Sequence, residues 1–161
     1  MDSQNTNLNE LTLNLVPFNK GTESNRLVFA NGNISPEWLS NQMQLWSHEN
    51  GHPAITAPQL GFNFRVLYLY GMESAFFNPI ILDKEGEISL EEYSPSFPNI
   101  KPLKIKRPQT ISVAYRDAFG ESHTNVYTGF TARMIQHSID FLDGKLYYER
   151  ANKYHLDKAR R

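Results

Sequence analysis

The stretch MIQHSIDFLDG, residues 134–144, constrains this chain more than any other. Its spacing predicts a helix from about 130 to 142, with Phe130, Met134, His137 and Phe141 on one stripe and Gly144 as the stop. A helix with one apolar stripe must bury it against a second layer, and what precedes it in the chain is mostly strand. FRVLYLYG and AFFNPIIL read as strands, with Pro79 marking a bulge or an edge position. A long loop containing Gly86, Pro95 and Pro98 follows; then PLKIKR and TISVAYRD read as strands, AFGES as a turn and HTNVYTGF as its returning half. A first helix is expected at 36–49, capped by Ser35, opened by Pro36, stopped by Gly51, and apolar along Leu39, Met43 and Trp46. The order of helix, several strands and helix is α+β rather than repeating βαβ.

With 161 residues there is room for one compact domain. The expectation is a domain over 21–161 and an asparagine-rich arm over 1–20 that orders on a neighbour. A formal net charge of -1 gives no reason to expect a general nucleic-acid binder. The absence of cysteine excludes disulfides, thiolate metal sites and cysteine nucleophiles. The amino terminus has neither a signal-peptide nor a membrane-anchor pattern, so the expected location is the cytoplasm or a virion.

HSIDF at 137–141 has the spacing of the metal-binding helix motif H-E-x-x-H without its glutamate or second histidine. Two further stretches precede it in order: HPAITAPQLG from His52 and EEYSPSFP from Glu91, with FFNPII between them. Together they resemble the peptide deformylase family, whose motifs run G-φ-G-φ-A-A-x-Q, E-G-C-L-S and Q-H-E-x-D-H. The resemblance covers roughly residues 35–150. It implies antiparallel strands around a central helix that carries a degenerate H-E-x-x-H. In the family, one cysteine and two histidines hold a divalent metal, a glutamate moves the proton, and a glutamine and a backbone NH stabilise the oxyanion.

On this chain the resemblance places Ser94 at the cysteine position, His137 at the first histidine, Ser138 at the glutamate and Phe141 at the second histidine. Gln59 is kept, but the backbone NH donor position is Pro95, which has none. His52, Ala54 and Tyr93 stand where the family has glycine, while Glu91, Glu92, Ser96, Pro98, Asp140, Leu142 and Gly144 match its pattern. The expectation from these replacements is a pseudoenzyme without metal or other cofactor, acting as a structural or protein-interaction component of a larger assembly, such as a phage virion.

Other readings stand beside it. His137 is expected as a hydrogen-bonded core histidine rather than a ligand, and Asp140 as an exposed or capping carboxylate rather than the third member of a Ser94, His137, Asp140 triad. A new metal site from His48, His52, His137 and Glu49 is one alternative. Others are a divergent metal-dependent hydrolase or deformylase with a rearranged site, and a binder of peptide N-termini through a pocket of Tyr93, Phe97 and Phe141. Ribosome or nucleic-acid contact would use Lys101, Lys104, Lys106, Arg107, Lys158, Arg160 and Arg161. Convergence of Ser94 and His137 with His48 or His52 on one open pocket separates the enzymatic reading from the inactive one.

Overall fold

The computed structural model describes residues 14–18, 20–29 and 34–160. Most of the expected arm over 1–20, namely 1–13 and 19, lies outside the described residues. Val16 N donates to Gln59 O at 2.9 Å, and Phe18 packs edge-on to Phe141 with ring centroids 4.6 Å apart.

The first helix, α1, is Pro36–Asn50; Ser35 Oγ accepts from Trp38 N at 3.2 Å, and Gly51 ends it at φ 64. Seven strands follow: β1 Ala54–Thr56, β2 Val66–Leu69, β3 Phe76–Glu85, β4 Ile88–Glu92, β5 Leu103–Arg107, β6 Thr110–Arg116 and β7 Ser122–Thr128. The long helix α2 is Gly129–Leu142, and a short α3, Lys153–Ala159, closes the described chain. All strand pairs are antiparallel, in a five-stranded sheet ordered β1-β2-β3-β6-β7 and a two-stranded sheet β4-β5. The expected α+β class is borne out.

Helices on both faces explain why every residue of β2 is buried. Val66 and Tyr68 meet Leu39, Met43 and Trp46 of α1, whereas Leu67 and Leu69 meet Ile135, Ile139 and Leu142 of α2. A strand covered on both sides reads as a continuous apolar run, as VLYL does. The bulge expected at Pro79 is present: the β3–β6 register shifts between Phe77 and Ile80. There Asn78, at φ 52, holds Leu27 like a strand partner, accepting from its N at 2.8 Å and donating to its O at 2.9 Å.

Two elements differ from the sequence reading. Part of the stretch taken for a long loop is β4, whose inward positions Ile88, Leu90 and Glu92 end on a carboxylate and so hide the alternation. The C-terminal tail is α3, capped by Asn152 accepting from His155 N at 2.9 Å. Its Ala159 joins Ile100, Leu103, Ile105 and Tyr147 in a small third core. Gly144, at φ 70, is required by close approach, since a Cβ there would lie 2.6 Å from Thr22 N and O.

Candidate active site

Helix α2 is buried from Ala132 to Leu142 and carries charge into the core, because the surrounding strands supply the countercharge. Arg133 lies on α2 four residues before His137; Glu92 ends β4 and Arg107 ends β5. Glu92 Oε1 accepts from Arg107 at 2.9 Å and meets His137 Nδ1 at 2.8 Å, while Oε2 accepts from Arg107 Nε at 2.6 Å and Arg133 at 2.7 Å. Burial alone would push the Glu92 carboxyl up, but hydrogen bonds from His137 and Arg107 outweigh it and hold it at about 2. Arg133 also donates to the carbonyls of Ile105 and Ile88, both at 2.6 Å, tying α2 to the two-stranded sheet.

The other carboxylate on α2 corrects an expectation. Asp140 is buried, not exposed or capping, and it accepts from Arg107 at 2.7 Å and from Arg150 Nε at 2.5 Å. It therefore does not orient His137; Glu92 does. The imagined triad also lacks its first link, since among the described residues Ser94 Oγ bonds only Ser96 N, at 3.3 Å.

In front of α2 lies a cleft of about 190 Å³ lined by residues including His52, Gln59, Tyr93, Ser94, His137 and Ser138. Ser94, His137 and His52 thus come together on one cavity. His48 and Glu49 do not line it; His48 packs on Tyr70 with centroids 4.6 Å apart. The His52 ring stacks on Trp46 at 5.4 Å, so that position holds aromatic packing where the family motif has glycine. His137 is buried, as expected of a hydrogen-bonded core histidine, yet it also borders the cleft. With Nδ1 on Glu92, no hydrogen bond among the described residues uses its Nε2.

Gln59 is buried beside it. Its Oε1 accepts from Thr56 N at 3.0 Å and Thr56 Oγ1 at 2.9 Å, and its Nε2 donates to Ser96 Oγ at 2.9 Å. An amide nitrogen carries two hydrogens, so one N–H of Gln59 remains for a ligand in the cleft. The aromatic pocket expected from Tyr93, Phe97 and Phe141 is not a single site. Tyr93 lines the cleft, Phe97 packs on Tyr147 and Tyr148, and Phe141 borders a separate cavity with Phe18. Phe130, expected on the buried stripe, is 59% exposed at the cleft wall.

The donor set does not fit the divalent metal centre that the resemblance implies. Of its three ligand positions only His137 carries a strong neutral donor; Ser94 offers a hydroxyl and Phe141 nothing. Among the described residues the one group of three or more histidines and carboxylates with ligand atoms within 4.8 Å of one another is Asp117, Glu121 and His123, at the β6–β7 turn and away from the cleft lining. There Asp117 Oδ1 accepts from Phe119 N at 2.9 Å and Glu121 N at 3.1 Å, which organises the turn.

The basic residues fall into different settings. Lys101, Lys104 and Lys158 line a groove beside α3, and Arg160 sits over the Tyr148 ring at 5.4 Å. Lys106 is exposed, Arg107 is buried in its ion pairs, and Arg161 lies outside the described residues. No helix among the described residues is long and apolar enough to cross a membrane.

A family model described as polypeptide deformylase matches residues 20–157. The peptide deformylase of Chlorobium phaeobacteroides is 36% identical over 108 residues, covering 62% of this chain and 57% of that protein. Peptide deformylase 2 of Clostridium acetobutylicum is 37% identical over 112 residues, covering 68% of this chain and 73% of that one. The chain thus spans little more than half the length of its Chlorobium relative. Among solved structures, the Plasmodium falciparum peptide deformylase in complex with inhibitor superposes with a TM-score of 0.79 at 25% identity, covering 92% of this chain and 94% of that one. The Synechococcus elongatus peptide deformylase in complex with actinonin gives 0.79 at 25% identity, covering 91% and 85%. The fold is the peptide deformylase fold, as expected. The expectation of an inactive structural, virion or phage component is overturned, because these relatives are named peptide deformylases and the solved neighbours hold inhibitors. The chain belongs to the peptide deformylase family, a family of enzymes.

Proposed function

We propose that the chain hydrolyses the N-formyl amide at the amino terminus of a peptide, in the cleft in front of α2, with a rearranged set of groups in which His137 activates water. The observation that carries the reading is the convergence of Ser94, His137 and His52 on that cleft, with His137 Nδ1 fixed 2.8 Å from the Glu92 carboxylate and Nε2 left over. A base oriented through its second nitrogen by a buried carboxylate has the arrangement needed for proton transfer.

The water oxygen attacks the formyl carbon while its proton passes to Nε2 of His137. Glu92 stabilises the imidazolium that results, and the remaining N–H of Gln59 takes the negative charge on the formyl oxygen. When the C–N bond breaks, the proton on His137 moves to the leaving nitrogen, giving formate and a free amine. Ser94 and Ser138 offer hydroxyls to the water and the formyl group. Ser94 is not the nucleophile, since it has no hydrogen bond to His137.

The test is formate release from an N-formylmethionyl peptide by the full chain, with and without a strong chelator. The expected result is turnover that the chelator leaves unchanged, that His137→Gln lowers about a hundredfold or more, and that Ser94→Ala lowers less than about tenfold. Absence of formate release from the folded wild-type chain overturns the reading. Loss of activity with the chelator overturns its metal-free part.

A further inference from the structure

Behind α2, on the side away from the cleft, a groove of about 320 Å³ runs between the ends of β3 and β5 and the loop after α2. Six cationic side chains line it, Arg65, Lys84, Lys106, Arg107, Lys145 and Arg150, against two carboxylates, Asp140 and Asp143. In a chain whose formal net charge is -1, this is a local concentration of positive charge. Both carboxylates are already engaged: Asp143 by Arg65 at 2.6 Å, and Asp140 by Arg107 and Arg150.

The three lysines are the spare capacity. Among the described residues Lys84 and Lys145 have no carboxylate within 4.0 Å, and Lys106 reaches only Glu87, at 3.9 Å. They come from three separate elements and line one concavity, so an anion seated there meets a field of one sign from several sides. Pro79, Ile80 and Ile139 supply an apolar wall beside the charges. Charge of this sign and number in a groove of this volume matches a phosphate group, to which lysines serve as point charges.

We propose that this groove binds a phosphate-bearing ligand through Lys84, Lys106 and Lys145. It is distinct from the cleft and does not rest on the reaction proposed there. Arg107 lines the groove and also holds Glu92, so the anion would sit against the same buried network that orients His137.

The test is calorimetric titration of the full chain at low ionic strength with sodium tripolyphosphate and, separately, with a short single-stranded RNA. The three lysines are exposed, so Lys84→Gln/Lys106→Gln/Lys145→Gln leaves the buried network intact. Saturable binding is expected, weakened about tenfold or more in that variant and unchanged in Lys101→Gln/Lys104→Gln/Lys158→Gln, which alters the groove beside α3. RNA binding tighter than tripolyphosphate binding, lost in the first variant, makes a nucleic-acid strand the source of the phosphate; the reverse order makes it a small phosphorylated molecule. No saturable binding of either probe, or equal weakening in the two variants, overturns the proposal.

Discussion

The two sides of α2 are built on opposite principles. Toward the two-stranded sheet, Glu92 and Asp140 fill their acceptor positions with Arg107, Arg133, Arg150 and His137. Toward the cleft, His137 Nε2 and one N–H of Gln59 are unspent, and the neighbouring Ser94 and Ser138 are neutral hydroxyls. Buried carboxylates whose acceptor positions are filled have nothing to give a substrate, but they fix geometry; among the network's donors, Arg133 Nε is buried without a partner among the described residues. Spare donors and acceptors facing a cavity can bind and react. The same helix separates the two because residues three and four apart share a face, and its neighbours on each side differ.

Breaking the saturated side should have the largest effect. Arg107→Met removes three donors and leaves Glu92 and Asp140 each short of a partner, which should destabilise the fold by about 3–5 kcal/mol in denaturant unfolding. A loss below about 1 kcal/mol would mean that the network behaves like surface charge.

Acid should have the next effect. The Glu92 carboxyl titrates at about 2 in the fold against 4.5 ordinarily. Because its folded value is depressed, its contribution is fully present above about pH 4.5 and is lost as pH falls toward about 2. At 1.36 kcal/mol per unit this amounts to about 3 kcal/mol. Stability measured from pH 6 down to pH 2 should fall accordingly, and Glu92→Gln should flatten that part of the curve. An unchanged slope in the variant would assign the acid sensitivity to other carboxylates.

The saturated side was also the less legible in sequence. PLKIKR reads as a strand, and its period of two puts Arg107 on the inward face with Leu103 and Ile105 while Lys104 and Lys106 face out. An arginine at an inward strand position is the signal of a buried ion pair. ISLEE gives the matching signal at Glu92, and Arg133 lies four residues before His137 on the buried helix. No single segment states the pairing, because its members are 15 to 45 residues apart and meet only when β4, β5 and α2 assemble. The two longer helices, the bulge at Pro79 and the hairpin followed from local periodicity and turn residues. The cleft was legible through its motif residues Gln59, Ser94 and His137. The aromatic pocket was not, because Phe97 and Phe141 turn into other contacts that spacing does not specify.

The smallest expected effect lies where the two sides meet. Tyr147 is 3% exposed, its ring is 4.7 Å from that of His137, and its hydroxyl donates no hydrogen bond among the described residues. Burial, then the charge on Glu92, pushes that hydroxyl up to about 12 against the lowering effect of the Ser94 backbone, so it stays protonated, with no acceptor for its hydrogen among the described residues. A buried polar group in that condition subtracts from stability rather than adding to it. Tyr147→Phe should therefore leave stability unchanged or raise it by up to about 1 kcal/mol, with formate release unchanged. A loss of similar size in thermal unfolding would place the hydroxyl within the saturated network. Unchanged stability with a lowered rate would instead place it among the groups that serve the cleft, and would move the boundary between the two sides from α2 to the ring of Tyr147.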